Sequence, residues 1–259
     1  MNSPLLRIEK QDRIGFITLC RAEKKNALND ELVKELTAAF SSLESDDDVK
    51  MMVLKAEGDV FSAGADLDYL KKLQNFSFEE NLADSNSLKE LFLKIYCNKK
   101  IVIAQVEGHA IAGGCGLATV CDFCFAVPEA KFGYTEVKIG FIPALVSVFL
   151  SRKIRGADAR ELLLTGNLIN ASRAEEIGLI NSVIEKNKIS DWVKQFAKDL
   201  CNETSSQSIA ATKELLSKVS SPELNAVLDL AARMNANARS SEDCKKGIDS
   251  FIKKEKINW

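Results

Sequence analysis

The sequence predicts an α/β core followed by an all-helical C-terminal region. Three observations carry that expectation. Short apolar runs recur at 14–19, 51–54, 101–106 and 122–127, each of a length suited to a buried strand. Helical apolar spacing lies between them. From about residue 190 onward the pattern is helical only, with four helices expected, so the chain divides into a core at 1–188 and a helical region at 189–259.

Ile14 to Leu19 reads as a strand because Ile, Phe, Ile, Thr and Leu crowd into one stretch bounded by polar residues. Asn29 is suited to cap a helix starting near Asp30. Leu32, Val33, Leu36, Ala39, Phe40 and Leu43 then recur at helical spacing until the acidic break Asp46-Asp47-Asp48. Met51 to Leu54 and Ile101 to Val106 read as buried strands, each leading directly into a segment dense in Gly and Ala. Residues 68–100 mix Lys, Asn, Ser and Glu with an intermittent apolar pattern that includes Leu88, Leu91, Phe92 and Ile95; a mobile stretch at 71–84 and then a helix are expected. Asp122 to Val127 reads as a further strand ahead of a segment containing Glu136. The sequence shows no repeat and no low-complexity linker.

The 259 residues suffice for one large core or two modest ones, and 46% hydrophobic with 28% charged residues is ordinary for a soluble globular protein. A formal charge of −2 gives no general attraction to nucleic acid or an anionic membrane, so neither is expected as a partner. The N-terminus lacks the basic lead and apolar run of a signal peptide, and nowhere do eighteen apolar residues run uninterrupted. Seven scattered cysteines suit a reducing compartment. A cytoplasmic protein is expected.

Chemistry concentrates in FSAGADL at 61–67, GHAIAGGCGL at 108–117 and Glu136, twenty positions after Gly116. Small residues leave backbone N–H groups uncovered, so two such turns could hold a developing oxyanion beside one acid/base; either turn taken singly could equally be a plain tight turn. Tyr134, Thr135 and Val137 flank Glu136 closely enough to desolvate it and raise its pKa toward neutrality. Other chemistries lack parts. His109 is the only histidine and sits in the glycine-rich turn, which suits packing or support better than a triad base. Cys121 and Cys124 match a CxxC spacing inside an apparent strand without a second pair, so no metal site is expected. The glycines follow neither a P-loop nor a GxGxxG pattern.

With FGYTEVKIGFIPA after them, these segments follow one another with the spacing of the crotonase (enoyl-CoA hydratase/isomerase) superfamily, which the chain resembles over nearly its whole length. The resemblance extends to RAEKKNALND at 21–30, LLLTGNLINASRAEEIGLINSVI at 162–184 and SEDCKKGIDSFIKKEK at 241–256. It implies a spiral of ββα units with a helical trimerisation region at 189–259, assembled as a trimer or a dimer of trimers. It implies an acyl-CoA thioester as ligand, with no cofactor beyond the coenzyme A of the substrate.

Residue by residue, the resemblance gives the oxyanion donors as the N–H groups of Ala65 and Gly113 and the proton-transferring acid/base as Glu136. The usual glycine triplet reads Ala112-Gly113-Gly114 here. Lys24 and Lys25 before Ala27, together with Phe251 and Lys254, match positions contacting the coenzyme A adenine and phosphates. Ala63, Asp66 and Leu67 would line the acyl–pantetheine channel. The family's hydratases carry a second glutamate where this chain has Gly116. That glycine, with the TEVKIGFIPALV segment, resembles bacterial 3-methylglutaconyl-CoA hydratases. The expected reaction is therefore reversible hydration of a short, branched enoyl-CoA such as 3-methylglutaconyl-CoA. A Δ3,Δ2-enoyl-CoA isomerase using one glutamate and a non-catalytic acyl-CoA-binding relative are the alternatives. A carboxylate-bearing substrate would want a cation, for which Lys138 and Arg152 are the candidates near in sequence.

Overall fold

The computed structural model describes residues 5–219 and 224–255; residues 1–4, 220–223 and 256–259, which include the last position of the 241–256 motif, lie outside the described residues. The elements in chain order are β1 (Leu6–Gln11), β2 (Ile14–Leu19), α1 (Asp30–Ser45), β3 (Met51–Ala56), β4 (Val60–Ser62), α2 (Leu67–Leu73), α3 (Phe78–Tyr96), β5 (Ile101–Val106), β6 (His109–Ile111), α4 (Gly113–Thr119), β7 (Phe123–Ala126), β8 (Lys131–Gly133), α5 (Ala144–Lys153), α6 (Gly156–Thr165), β9 (Ile169–Asn170), α7 (Ala171–Glu176), β10 (Ser182–Val183), α8 (Ile189–Glu203), α9 (Ser206–Val219), α10 (Leu224–Ser240) and α11 (Glu242–Lys253).

The strands form two sheets, ordered β1-β2-β3-β5-β7-β10 and β4-β6-β8-β9. Except for the antiparallel ends β1 and β9, neighbours run parallel. Three successive pairs, β3–β4, β5–β6 and β7–β8, each give their first strand to the large sheet and their second to the small one before the chain turns helical. This is the expected spiral of ββα units. Because β2, β3 and β5 are parallel and covered, they are apolar on both faces, with β2 and β5 buried throughout.

One expectation is corrected. Residues 71–84 are not a mobile stretch: α2 reaches Leu73, and α3 begins at Phe78 behind a capping box in which Ser77 Oγ accepts from the Glu80 N–H and Glu80 accepts from the Ser77 N–H. The buried Asn81 donates to the carbonyls of Leu73 and Phe76, and Leu70 and Leu73 pack with Cys244 and Ile248. A polar residue held inside a helix interrupts the apolar periodicity, which is why the sequence pattern looked loose. The runs at 51–54 and 101–106 lead into the Gly/Ala segments as expected, and the first part of each segment forms a three-residue strand, β4 or β6, too short to show a period.

The four C-terminal helices cover the core. Val193 and Ala197 of α8 and Leu228, Ala231 and Ala232 of α10 belong to the same hydrophobic cluster as the sheet, and α10 packs on α3 and α5. As expected, Asn29 caps α1, its side chain accepting from the Leu32 N–H.

The entry segment 21–28 is fixed by Asn26. This fully buried side chain accepts from the Arg21 N–H at 2.9 Å and donates to the carbonyls of Glu57 and Val60 at 2.8 Å each. Its φ of 50° is a left-handed conformation that Asn tolerates better than most residues. Asn26→Ala leaves three partly buried backbone groups without this partner and should lower unfolding stability by about 2 kcal/mol or more in urea titration; an unchanged midpoint would contradict this role.

Candidate active site

The two donor turns meet. At the start of α2, Leu28 forms a parallel bridge with Ala65: the Leu28 N–H donates to Gly64 O at 2.7 Å and the Asp66 N–H donates to Leu28 O at 2.8 Å. In extended backbone successive N–H groups point to opposite sides, so the Ala65 N–H faces away from this bridge. Gly113 opens α4, where the first N–H groups of a helix lack intrahelical acceptors. Among the described residues neither the Ala65 nor the Gly113 N–H has an acceptor. Glycine is required where the turns touch. A Cβ on Gly64, whose φ is +87°, would lie 2.9 Å from Ala112 Cβ and 3.6 Å from Gly113 N, and one on Gly114 would lie 2.4 Å from Ser62 O. Ala112 itself sits at φ 50°, strained backbone of the kind concentrated at functional sites.

Both turns open on a cavity of about 470 Å³ whose wall includes Ala63, Ala65, Gly113 and Glu136. Glu136 begins a 3-10 turn at Glu136–Ile139, fixed by the Phe141 N–H donating to Glu136 O at 3.0 Å. Glu136 is 8% exposed and its Oε2 has no hydrogen-bond partner. Burial disfavours the charged form and, against a smaller opposing backbone hydrogen bond, raises the pKa from 4.5 to about 7. The expected desolvation is thus present, and the group is poised to carry or release a proton near neutrality.

Of the residues nominated from sequence, Ala63, Ala65, Gly113, Glu136 and Phe251 line this cavity; Lys24, Ala27, Asp66, Leu67, Gly116 and Lys254 do not. Asp66 is corrected from a channel wall to a structural group. It is buried, caps α2 through the Asp68 and Tyr69 N–H groups and pairs with Arg21 at 2.7 Å. Leu67 is 44% exposed on the first turn of α2, outside this cavity. Ala27 is buried, Lys24 pairs with Asp68 at 2.9 Å, and Lys254 ends α11 in a left-handed conformation. Lys138 lines the cavity, its Nζ 3.2 Å from Asn167 Oδ1, whereas Arg152 lies outside it and donates to Val148 O.

Gly116 is more than a missing carboxylate. A Cβ there would stand 2.5 Å from Val146 Cγ1 and 2.8 Å from Phe92 Cζ, so packed apolar groups fill the place a longer side chain would take. Sequence reasoning also missed a polar wall of the same cavity made by Tyr69, Asp84, Asn235 and Arg239. The detectable signal lay in α10, where Leu228, Ala231, Ala232, Asn235, Ala236 and Arg239 form one buried stripe and two polar residues interrupt it.

Residues 9–259 match the family model described as enoyl-CoA hydratase/isomerase. The chain belongs to the enoyl-CoA hydratase/isomerase family. A Thermus thermophilus protein provisionally named an enoyl-CoA hydratase is 39% identical, covering 96% of this chain and 98% of that one. A Syntrophomonas wolfei protein named crotonyl-CoA hydratase is 30% identical, covering 97% and 96%. A crystal structure of an enoyl-CoA hydratase from Mycobacterium avium superposes with a TM-score of 0.87 at 29% identity, covering the whole of both chains. The spiral core and C-terminal helices are therefore those of the family.

Two stability predictions follow from this packing within the family fold. The raised pKa of Glu136 means that the folded state binds its proton more tightly than the unfolded state does. The associated stability is complete below about pH 4.5 and is lost as pH rises through about 7. Glu136→Gln should therefore be more stable than the parent by roughly 3 kcal/mol at pH 8 and close to it at pH 4, read from denaturant midpoints; no gain at pH 8 would contradict the burial account. Gly116→Glu should lose about 3 kcal/mol or more, because it overpacks Val146 and Phe92 and buries a charge. An unperturbed midpoint would show that this space is open.

Proposed function

We propose that the protein hydrates a short enoyl-CoA reversibly, with Glu136 as its only acid/base. The observation that carries this reading is the buried Glu136 carboxyl, its Oε2 unpaired, in one cavity with two acceptor-free N–H groups. The hydratase names of the relatives support it. The thioester carbonyl accepts from Ala65 and Gly113, whose N–H groups stabilise enolate character at oxygen; one such donor is typically worth about 2.7–4 kcal/mol of barrier. The Glu136 carboxylate takes a proton from water as the water oxygen bonds to C3, and returns that proton to C2. One water enters and the carboxylate is regenerated, so the balance calls for neither redox cofactor nor metal.

For the acyl group we favour a short branched chain, 3-methylglutaconyl in particular, on the likeness of the glycine-rich turn and the TEVKIGFIPALV segment to hydratases of that substrate. A second reading, Δ3,Δ2-isomerisation, is favoured by Gly116, because moving a double bond needs one proton shuttle and no second carboxylate to hold water. A non-catalytic acyl-CoA binder is the third; the neutral-range acid in the cavity argues against it. Coenzyme A contacts from Lys24, Phe251 and Lys254 belong to this proposal. So does assembly as a trimer or dimer of trimers, supported by exposed Leu215, Leu230 and Met234 on the C-terminal helices. Action in the cytoplasm suits the free thiols; among the described residues no helix is long and apolar enough to cross a membrane.

Product masses after incubation with 3-methylglutaconyl-CoA, crotonyl-CoA and a 3-enoyl-CoA test the reaction. Gain of one water is expected; unchanged mass with a shifted double bond would make it an isomerase, and binding without any turnover would make it a silent relative. Glu136→Gln should reduce turnover by a thousandfold or more while thioester binding survives. Parent kcat/KM should rise with pH to a plateau above an apparent pKa near 7, since the base form acts. Retained activity in the variant would remove Glu136 from the mechanism.

A further inference from the structure

We propose that the wall formed by Tyr69, Asp84, Asn235 and Arg239 is a specificity site that reads an oxygen-bearing group, hydroxyl or carboxyl, on the acyl chain. The inference rests on the reading above in placing the acyl group in this cavity. Four side chains from α2, α3 and α10 line the cavity that also holds Glu136. Asp84 is fully engaged: Oδ1 accepts from Tyr69 Oη and Oδ2 pairs with Arg239 Nη1, both at 2.5 Å. Arg239 Nη1 also donates to Asn81, and the guanidinium lies over the Phe141 ring at 5.6 Å.

What this network leaves over points to a ligand. Arg239 is 7% and Asn235 4% exposed, yet Arg239 Nε, a donor, and Asn235 Oδ1, an acceptor, have no partners. Buried polar groups are ordinarily paired, and these two orphans of opposite sense stand one turn apart on α10 in residues that line the cavity, so an oxygen group that works its way between them would meet one donor and one acceptor. An alkyl chain would leave both unmade. A hydroxyl satisfies both, donating to Asn235 and accepting from Arg239; a carboxylate accepts from Arg239 and adds charge attraction. Sites that hydrogen-bond a substrate group reject analogues that lack it more strongly than apolar pockets reject an extra group. Phe141 connects the two parts of the cavity, since it lies against Arg239 while its N–H holds the Glu136 turn.

The test uses three five-carbon thioesters that differ only at the end: 2-pentenoyl-CoA, 5-hydroxy-2-pentenoyl-CoA and glutaconyl-CoA. Calorimetric Kd and kcat/KM are measured for each. Tenfold or greater preference for at least one oxygen-ended ester over pentenoyl-CoA is expected, and whether hydroxyl or carboxylate leads identifies which oxygen group the site reads. Asn235→Leu should reduce the hydroxyl preference about tenfold without lowering the denaturation midpoint, and Arg239→Met should remove the preference for both groups. A merely structural role would lower stability and leave the ratios intact. Equal or better binding of pentenoyl-CoA, or ratios unmoved in Asn235→Leu, would overturn the inference. Absence of turnover with all three esters would overturn the proposed reaction instead, while the Kd ratios still decide the specificity site.

Discussion

The burial of one carboxyl group with an unpaired oxygen is the constraint on which the rest of the site depends. Glu136 Oε2 has no partner, and desolvation weakens the acid more than a local backbone hydrogen bond strengthens it. An ion pair or a cluster of N–H donors would have held it ionised and inert as an acid near neutral pH. The fold sustains this buried group because its position is fixed through backbone: a 3-10 turn closed by the Phe141 N–H, preceded by the buried Tyr134, whose hydroxyl lies 2.6 Å from Thr119 Oγ1. Stability given up at Glu136 is what makes the residue useful.

The oxyanion pair obeys a different logic, since it needs no special side chains. It needs two chain segments to approach within backbone distance, and the spiral topology supplies that. β4 and β6 are neighbours in the small sheet, so the turns that follow them, at Gly64 and Ala112–Gly113, emerge side by side. Glycine at 64 and 114 permits the contact; the positive φ at Ala112 is the strain that remains. Asn26 then ties the entry segment to the β3–β4 connection and brings Leu28 into register with Ala65.

Much of this was legible in the sequence, for physical reasons that differ by residue. Long apolar runs announced β2, β3 and β5, and the cap at Asn29 and the stripe from Leu32 to Leu43 announced α1. Density of Gly and Ala announced the donor turns, and Glu136 stood out among apolar neighbours. Three-residue strands such as β4 and β6 carry too few residues to show a period. The interruption of the apolar period in α3 comes from buried Asn81, which bonds back to Leu73 and Phe76 across the α2–α3 connection. Asp66 looked like a wall of the channel because it adjoins a donor, but a cap and an ion pair turn it inward. The polar wall at Tyr69, Asp84, Asn235 and Arg239 draws on three helices far apart in the chain, which no local pattern joins.

The central claim is that burial tunes Glu136 to neutrality, and the most direct measurement is the titration of its side-chain carboxyl carbon by 13C NMR in the folded protein, assigned with Glu136→Gln. The account predicts a midpoint about 7. A midpoint near 4.5, the ordinary value for a glutamate, would show a solvated or partnered carboxylate and would contradict it.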